Sequence, residues 1–320
     1  PSMLQIFQML EIGKVSARGH NTSDYVHEFV EIIKLAFADR HSHIGDPRFV
    51  SPPLERLLSR EYAHEQLSRI DPGRAFHALP VRDGYADPLS SVTPGLSELA
   101  TPASLDTSYI CVVDRWGNAF SATPSDVSFD TPVIPGTGLA VSSRGSQSWS
   151  DPDHPSSVRP GKRPRLTPSP ALAVSSDGRL VPFGTPGGDV QAQAMSQVLM
   201  NLLAFGMTSQ QAVEAPRFAT YSFPDSFEPH DFYPGRLNLE KGISRQVGAD
   251  LAARGHDIGW WPDLTWRAGE SLRRKPPWRR VAPERHRIRD RRQHRPRLRP
   301  AGRRHQGRPD RYGHGRRPRC

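Results

Sequence analysis

The sequence predicts an α+β domain, in which helices and antiparallel strands form separate layers. Apolar residues recur at helical spacing in the first 70 residues, two pairs of short alternating strands follow residue 107, and further helices come after the second pair. Each strand pair is joined by a tight turn, as is typical of hairpins. Hairpins flanked by long helices favour this class over a parallel βαβ fold.

Residues 1–70 are predicted to be mainly helical. The opening segment 1–11 has no basic stretch and no cleavage site, so it is interpreted as part of a helix and not as a signal peptide. A long amphipathic helix, capped by Ser23 or Asp24, is predicted to run to about Asp39. Its apolar stripe consists of Val26, Phe29, Val30, Ile33 and Phe37. Two shorter helices are expected before the end of this region.

Residues 71–106 are predicted to form a flexible connector. Pro, Ser, Thr and Gly are frequent there, and neither a helical nor a strand period persists. We therefore expect exposed backbone that is readily cleaved.

The strand pattern begins directly after Thr107. Residues 109–114 alternate, the chain turns at 116–118, and residues 119–123 return beside them as a hairpin. The other predicted elements are a hairpin of 171–174 and 180–183, helices at 190–205, 208–215 and 244–253, and a strand at 236–239. Cys111 in the first strand is interpreted as a small buried apolar residue.

The net charge of +10 is unevenly distributed along the chain. Residues 271–320 contain 20 of the 43 Lys and Arg residues but only 3 of the 33 Asp and Glu residues. The rest of the chain is therefore net acidic. A tail so rich in arginine and poor in apolar residues cannot bury enough surface to fold, so we expect it to be disordered.

Two origins are open for this tail. It could be an arm that binds nucleic acid through phosphate contacts, or it could result from a reading-frame shift in a GC-rich gene, because Arg, Pro, Gly and His dominate such products. We favour the frame shift and do not expect nucleic acid as a partner. No apolar run approaches the ~20 residues that span a bilayer, and the sequence leans only weakly toward a cytoplasmic location.

Thr107 lies where the predicted connector meets a strand that we expect to be buried. Cleavage of the Asp106–Thr107 bond would leave Thr107 with both an α-amine and a hydroxyl, which can serve as base and nucleophile. A terminal amine has an ordinary pKa near ~8 and can accept the hydroxyl proton near neutrality. Without cleavage, Thr107 would merely begin a strand, where threonine is common.

The chain from about residue 2 to about residue 270 resembles the γ-glutamyltransferase family of N-terminal nucleophile hydrolases. The stretches that carry the resemblance are Gly19–Tyr25, Leu35–Arg40, Gly45–Val50, the Thr107 strand, Lys162-Arg163-Pro164 and Gly184–Gly188. The resemblance implies a four-layer αββα sandwich, incomplete in this chain. It assigns residues 1–70 to the large subunit, 71–106 to a linker that ends at the autocleavage site, 107–270 to the catalytic region of the small subunit and 271–320 to the tail.

The resemblance also implies roles at the site. Thr107 matches the nucleophile, and Gly187-Gly188 match the two glycines whose N–H groups hold the oxyanion. Ser125 falls where the family has a second hydroxyl that hydrogen-bonds the nucleophile. The glycines could equally serve turn geometry alone, and Ser125 could be an ordinary loop residue.

The substrate clamp departs from the pattern of the γ-glutamyl enzymes. Counting without gaps places Arg144 and Gln147 where those enzymes have Gln and Asp, and Thr167 where they have the second residue of a Ser-Ser pair. The carboxylate that would hold a substrate ammonium is thus replaced by an amide, and a buried ammonium without a counter-ion is costly. Arg144 could instead bind a substrate carboxylate, or it could be a surface arginine.

These observations favour a γ-glutamyltransferase-family amide hydrolase or acyltransferase, similar to glutathione hydrolase, that forms an acyl-enzyme at Thr107. Small amides, γ-glutamyl compounds included, are the expected substrates, and two subunits are expected to form a heterodimer after cleavage. The departure in the clamp favours, as an alternative, the amidohydrolases and acylases that act on oxamate or cephalosporin side chains. An inactive truncated remnant is the alternative of another class.

No cofactor and no metal ion are expected. His41, His43 and Asp46 could suggest a metal site, but two histidines so close in a loop are usually solvated, and Asp46 belongs to one of the stretches that resemble the family.

Overall fold

The structure, a computed structural model, describes residues 1–80, 107–126 and 131–262, which fall within one compact unit. Its helices are α1 (Ser2–Ile12), α2 (Ser23–His43), α3 (Leu54–Leu57), α4 (Arg60–Leu67), α5 (Val190–Leu203), α6 (Ser209–Glu214) and α7 (Arg245–Ala253). Its strands are β1 (Ile110–Val113), β2 (Ala119–Ala122), β3 (Ala171–Val174), β4 (Leu180–Phe183), β5 (Phe218–Thr220), β6 (Arg236–Glu240) and β7 (Asp257–Trp261). The predicted α+β class is confirmed. The arginine-rich tail lies outside the described residues.

Helix α2 forms the centre of the core. Its cap is Thr22 and not the predicted Ser23 or Asp24, because the Thr22 side chain accepts the hydrogen bond from the Tyr25 amide at 3.2 Å. The aromatic rings of Phe29 and Phe37 pack edge to face against Phe218 and Phe223, with ring centres 5.5 and 4.6 Å apart. Residues before and after position 107 therefore share one core.

The prediction that α2 is amphipathic is wrong. Three of its charged residues, Glu31, Lys34 and Asp39, are buried as well as its apolar ones, because each finds a partner inside the protein. Lys34 donates to Glu31 at 2.8 Å and to the Phe76 carbonyl at 2.7 Å. Asp39 accepts hydrogen bonds from Gln5 at 2.8 Å and from Tyr62 at 2.7 Å. Paired charges of this kind can be buried at a tolerable cost.

The packed region extends beyond residue 70. Ala75 and Leu79 are buried, and the Phe76 amide donates to Glu31 at 2.8 Å. Ala75, Phe76 and Leu79 of the predicted connector are therefore packed residues, and the Phe76 backbone supplies partners for buried charges. The rest of that connector, 81–106, lies outside the described residues.

Both predicted hairpins are present. In the first, Ile110 pairs with Ala122 and Val113 with Ala119, and in the second Ala171 pairs with Phe183. The first strand is not buried as expected. Half or more of Ile110, Val112 and Phe120 is exposed, at 52, 53 and 58%, and Cys111 is only partly buried. Each hairpin is a two-stranded sheet, so the layered sandwich is incomplete, as predicted.

The third sheet contains a βαβ arrangement, which the sequence did not favour. Its strand order is β5-β6-β7; β6 and β7 are parallel and α7 connects them, which makes a βαβ unit. Neither β5 nor β7 was predicted. Strand β5 has only three residues, and β7 contains Gly259, where a Cβ atom would lie 2.2 Å from the Asn238 side chain. Within the described residues, the helices are too short or too polar to cross a membrane.

Candidate functional site

Thr107 and Ser125 face each other at the open end of the first hairpin. Extending the β1–β2 register by three residues places Thr107 opposite Ser125, and the two residues form an isolated antiparallel bridge. Their hydroxyl oxygens are 2.6 Å apart. The Ser108 amide donates to the Pro124 carbonyl at 2.9 Å and holds the ends of the hairpin together. The pairing of the two hydroxyls thus follows from the hairpin itself.

Arg144 lies directly behind Ser125. Its Nε donates to the Ser125 carbonyl at 3.2 Å, and its Nη2 donates to the Ser125 hydroxyl. Only 7% of Arg144 is exposed, so the alternative of a surface arginine is wrong. A buried cation therefore contacts Ser125, the residue that pairs with Thr107.

The hydrogen-bonded chain continues to the other two predicted clamp residues. Arg144 Nη1 donates to Gln147 Oε1 at 3.4 Å, and Gln147 Nε2 donates to the Thr167 hydroxyl at 3.3 Å. All three residues are buried. The hydroxyl of Ser142 accepts the Arg144 amide at 3.2 Å, where the 3₁₀ helix Ser143–Gln147 begins. The structure therefore joins five predicted site residues into one network, from Thr107 to Thr167.

Gly187 and Gly188 form the turn that leads into α5. Their φ angles of +124° and +55° lie in the region that favours glycine. Among the described residues, the N–H groups of both glycines donate no hydrogen bond, so they are available to an anion. A Cβ atom on Gly188 would lie 4.0 Å from the Phe227 ring, and the Arg144 guanidinium lies 5.3 Å from the centre of that ring.

Tyr109 connects the Thr107 strand to the glycine turn. A Cβ atom on Gly184 would lie 2.3 Å from the Tyr109 ring, so only glycine fits this approach. The Tyr109 hydroxyl is 2.9 Å from the hydroxyl of Ser121 on β2, and burial raises the pKa of Tyr109. Thr107 lies two residues before Tyr109, and Gly187 lies three residues after Gly184. The contact between Tyr109 and Gly184 therefore holds the Thr107 strand beside the glycine turn.

Asp106, the residue on the other side of the predicted cleavage position, lies outside the described residues. Four residues around the site were not assigned any role from the sequence: Arg40, Asp189, Ser226 and Phe227. A signal for Arg40 was present, since it ends the stretch Leu35–Arg40 that resembles the family. An aspartate directly after two glycines was the signal for Asp189. Ser226 and Phe227 belong to a loop without a recognisable pattern.

Two groups contain residue types that bind metals. The Asp46 carboxylate is held by the guanidinium groups of Arg48, at 2.7 Å, and Arg163, at 3.3 Å, and these hydrogen bonds keep its pKa below the ordinary range. His27, Glu31 and His256 are buried, with ligand atoms within 4.8 Å of one another. The Lys34 ammonium lies 2.8 Å from Glu31, and its charge opposes a cation there.

The chain matches the Gamma-glutamyltranspeptidase family over residues 1–274. It is 33% identical over 258 residues to the Acylase ACY 1 proenzyme of Pseudomonas sp. (strain SE83), with 80% of this chain and 40% of the relative covered. It is 28% identical over 268 residues to the Glutathione hydrolase proenzyme of Escherichia coli (strain K12), covering 80% of this chain and 42% of the relative.

A solved structure extends the likeness to the fold. The cephalosporin acylase from Bacillus halodurans matches with a TM-score of 0.62 and 27% identity, over 84% of this chain and 44% of the acylase chain. The chain thus spans about two fifths of the length of the relatives it matches. On the strength of the match over residues 1–274, the chain belongs to the gamma-glutamyltranspeptidase family.

Proposed function

We propose that this chain carries the reacting centre of an amide hydrolase or acyltransferase, with Thr107 as an N-terminal nucleophile. The observation that supports this most is the 2.6 Å contact between the Thr107 and Ser125 hydroxyls, backed by the buried Arg144. A hydroxyl paired in this way has a fixed direction. A threonine that merely began a strand would not need such a partner.

The proposed reaction begins with cleavage of the Asp106–Thr107 bond, which frees the α-amine of Thr107. In turnover, the Thr107 oxygen attacks the carbonyl carbon of an amide, and the α-amine takes the hydroxyl proton. The same proton passes to the leaving nitrogen as the carbon–nitrogen bond breaks, which leaves an ester on Thr107. Water then releases a carboxylic acid, or an acceptor amine forms a new amide, and either route restores the threonine hydroxyl.

The N–H groups of Gly187 and Gly188 are proposed to stabilise the oxyanion of the tetrahedral intermediate. Donors of this kind lower the barrier by roughly 3–4 kcal/mol each when they are already in place. Among the described residues, neither N–H group donates a hydrogen bond that an oxyanion would have to displace.

The charge of Arg144 favours an acyl group that carries no ammonium, as in the acylase alternative. At ~5 Å and an effective dielectric of ~20, two like charges repel by about 3 kcal/mol. In the described network, the amide of Gln147 offers no negative charge to offset this. A neutral or carboxylate-bearing acyl group is compatible with the same surroundings, and one relative is named an acylase.

The two pieces produced by cleavage are proposed to remain together as a heterodimer. Contacts that cross position 107 support this. Asn21 donates to the Pro216 carbonyl at 2.8 Å, and Arg163 pairs with Asp46. The relatives named proenzymes point in the same direction. No cofactor takes part in the proposed reaction.

The proposal is tested on the complete gene product that contains this chain. Purified protein should separate into two polypeptides under denaturing conditions, and the smaller one should begin at Thr107 by mass spectrometry. Thr107→Ala should remain intact and should hydrolyse no amide. Thr137→Ala, which removes a hydroxyl that bonds the Ile134 carbonyl and the Leu139 amide of its own turn, serves as the matched control. An intact wild-type protein, or an active Thr107→Ala variant, would refute the proposal.

An inactive remnant remains the competing hypothesis, and the exposed apolar residues of the first hairpin favour it. It predicts aggregation and a broad thermal transition. A soluble wild-type protein that unfolds cooperatively and cleaves itself excludes it.

A further inference from the structure

Asp189 directly follows the glycine turn and occupies the N-cap position of α5, but its side chain does not cap that helix. Its Oδ2 accepts the Ser226 amide at 2.7 Å, and its Oδ1 accepts the Ser226 hydroxyl at 2.9 Å. Oδ1 also accepts Nη1 of Arg40 at 2.5 Å. An aspartate at this position ordinarily bonds the amides of its own helix. Here the carboxylate ties the turn to α2 instead.

The Arg40–Asp189 ion pair is almost completely buried, with 14% and 4% of the two side chains exposed. The guanidinium lies 4.0 Å from the centre of the Phe37 ring, and the Arg40 carbonyl accepts a hydrogen bond from Arg165 at 3.1 Å. Burial by itself would raise the pKa of Asp189, but the charge of Arg40 and its hydrogen bond hold that pKa below the ordinary value. Removing either partner would leave a buried charge without its hydrogen-bonded counter-ion, which is destabilising.

The same carboxylate reaches the Thr107 network through the loop 225–230. Ser226 is bound to Asp189, and the next residue, Phe227, lies beneath the Arg144 guanidinium. One residue further, the Glu228 amide donates to the Ser146 carbonyl at 2.8 Å. The ion pair therefore contacts the glycine turn directly and supports Arg144 from below.

Building on the proposed function, we propose that Arg40 and Asp189 are positioning residues that fix the Gly187-Gly188 amides toward the oxyanion. Neither side chain needs to touch the substrate. Asp189 is joined to Gly188 by one peptide bond, so a shift of its carboxylate displaces the turn. Because Arg40 precedes position 107 and Asp189 follows it, the large fragment controls the geometry of the oxyanion turn in the small fragment.

The test compares Arg40→Gln, Arg40→Lys and Asp189→Asn in the complete gene product, with the best available amide substrate. We expect kcat to fall about 100-fold in Arg40→Gln and Asp189→Asn, as for the loss of one oxyanion donor, while KM changes less than about threefold. Arg40→Lys restores the charge and should recover much of kcat. The double variant should be no slower than the worse single variant, because both substitutions remove the same contact.

The matched control is Arg254→Gln. Arg254 also forms an ion pair across position 107, at 2.5 Å from Asp24, but it lies away from the glycine turn, so its kcat should stay near the wild-type value. Ser226→Ala removes one hydroxyl from Asp189 and serves if the charge variants fail to fold; its kcat should fall several-fold. Folded variants with unchanged kcat, or an effect confined to KM, would overturn the inference while leaving the proposed function intact. An inactive wild-type protein would overturn both.

Discussion

The guanidinium of Arg144 donates to both the carbonyl and the hydroxyl oxygen of Ser125, so one side chain fixes the backbone and the side chain of the residue opposite Thr107. The Ser125 and Thr107 hydroxyl oxygens are 2.6 Å apart, and either hydroxyl can donate to the other. A hydroxyl polarised by a cation is a stronger donor. This arrangement suits the step in which the Thr107 oxygen leaves the acyl-enzyme.

Ser125→Ala is therefore expected to slow turnover. A hydrogen bond supported by a charged group contributes about 1.5–3 kcal/mol, so kcat should fall roughly 10- to 150-fold. Ser121→Ala is the control, because Ser121 lies on β2, four residues before Ser125, and its hydroxyl contacts Tyr109 instead of Thr107. Steady-state kinetics on both variants check this; equal kcat values for the two would contradict it.

Arg144 is expected to determine which acyl groups are accepted. Glutaryl-p-nitroanilide and γ-glutamyl-p-nitroanilide differ only by an α-ammonium group, and the wild-type protein should prefer the glutaryl compound. In Arg144→Gln the ratio of the two kcat/KM values should move toward the γ-glutamyl compound by up to about 100-fold, which corresponds to about 3 kcal/mol of repulsion.

Because a ratio is measured, a general loss of activity in Arg144→Gln cancels. Arg163→Gln, which removes a guanidinium from Asp46, should leave the ratio unchanged. A wild-type preference for the γ-glutamyl compound would contradict the expected role of Arg144.

Stability is expected to fall as the pH drops below about 6.5, because of His256. A carbonyl only accepts, so His27 Nε2 donates to Asp71 O at 2.8 Å, and His27 Nδ1 accepts from His256 Nε2 at 2.9 Å. Burial, followed by the charge of Lys34, lowers the pKa of His256 to about 2. Between these two pH values His256 binds a proton in the unfolded chain but not in the folded chain. Its contribution to stability is therefore complete above pH 6.5 and is lost progressively toward pH 2.

At pH 5 this single group should cost about 2 kcal/mol of unfolding free energy. Urea unfolding of His256→Gln should show a shallower dependence on pH between 7.5 and 5 than the wild-type protein. A part of the slope should remain, because burial also lowers the pKa of His154 to about 2. The exposed His64→Gln should change nothing, and identical slopes in the wild-type protein and His256→Gln would contradict the prediction.

Gly184→Ala should destabilise the protein and impair turnover together. The added Cβ atom would meet the Tyr109 ring at 2.3 Å, and overpacking of this kind costs about 1–3 kcal/mol. Gly73→Ala is the control, since its Cβ atom would meet only the Asp71 side chain, at 3.5 Å. Thermal unfolding measures the cost, and equal midpoints for the two variants would disprove the close approach.

Strand pairing within a hairpin could be predicted from the sequence better than packing between distant segments. The register of the first hairpin is set by its turn, where Asp114 accepts the Asn118 amide at 2.9 Å, so the pairing of Thr107 with Ser125 was within reach. The burial of the charged residues Glu31, Lys34 and Asp39 in α2 could not be predicted, because it depends on partners elsewhere in the chain, such as the Phe76 carbonyl for Lys34. Strand β7 was missed because its parallel pairing with β6 depends on α7 between them.

The residues of the candidate site could likewise be predicted better than their contacts. Thr107, the glycine turn and the clamp positions were assigned by likeness and by counting, and the structure groups most of them in one network. The contacts of Arg144, however, depend on the 3₁₀ helix that carries it. The position and charge of this residue in the sequence could not show whether it binds a substrate or supports Ser125. Signals for Arg40 and Asp189 were present, but their pairing could not be predicted because 149 positions separate them.

The edge-to-face contacts of Phe29 with Phe218 and of Phe37 with Phe223 bear on whether folding or the proposed cleavage comes first. Each ring pair takes one member from either side of position 107, so neither piece contains a complete core of its own. A chain cut while still unfolded would yield two polypeptides that must find each other from solution. If the proposed cut at Thr107 takes place, folding has to come first, and the cut would be made in a protein that already has its final shape.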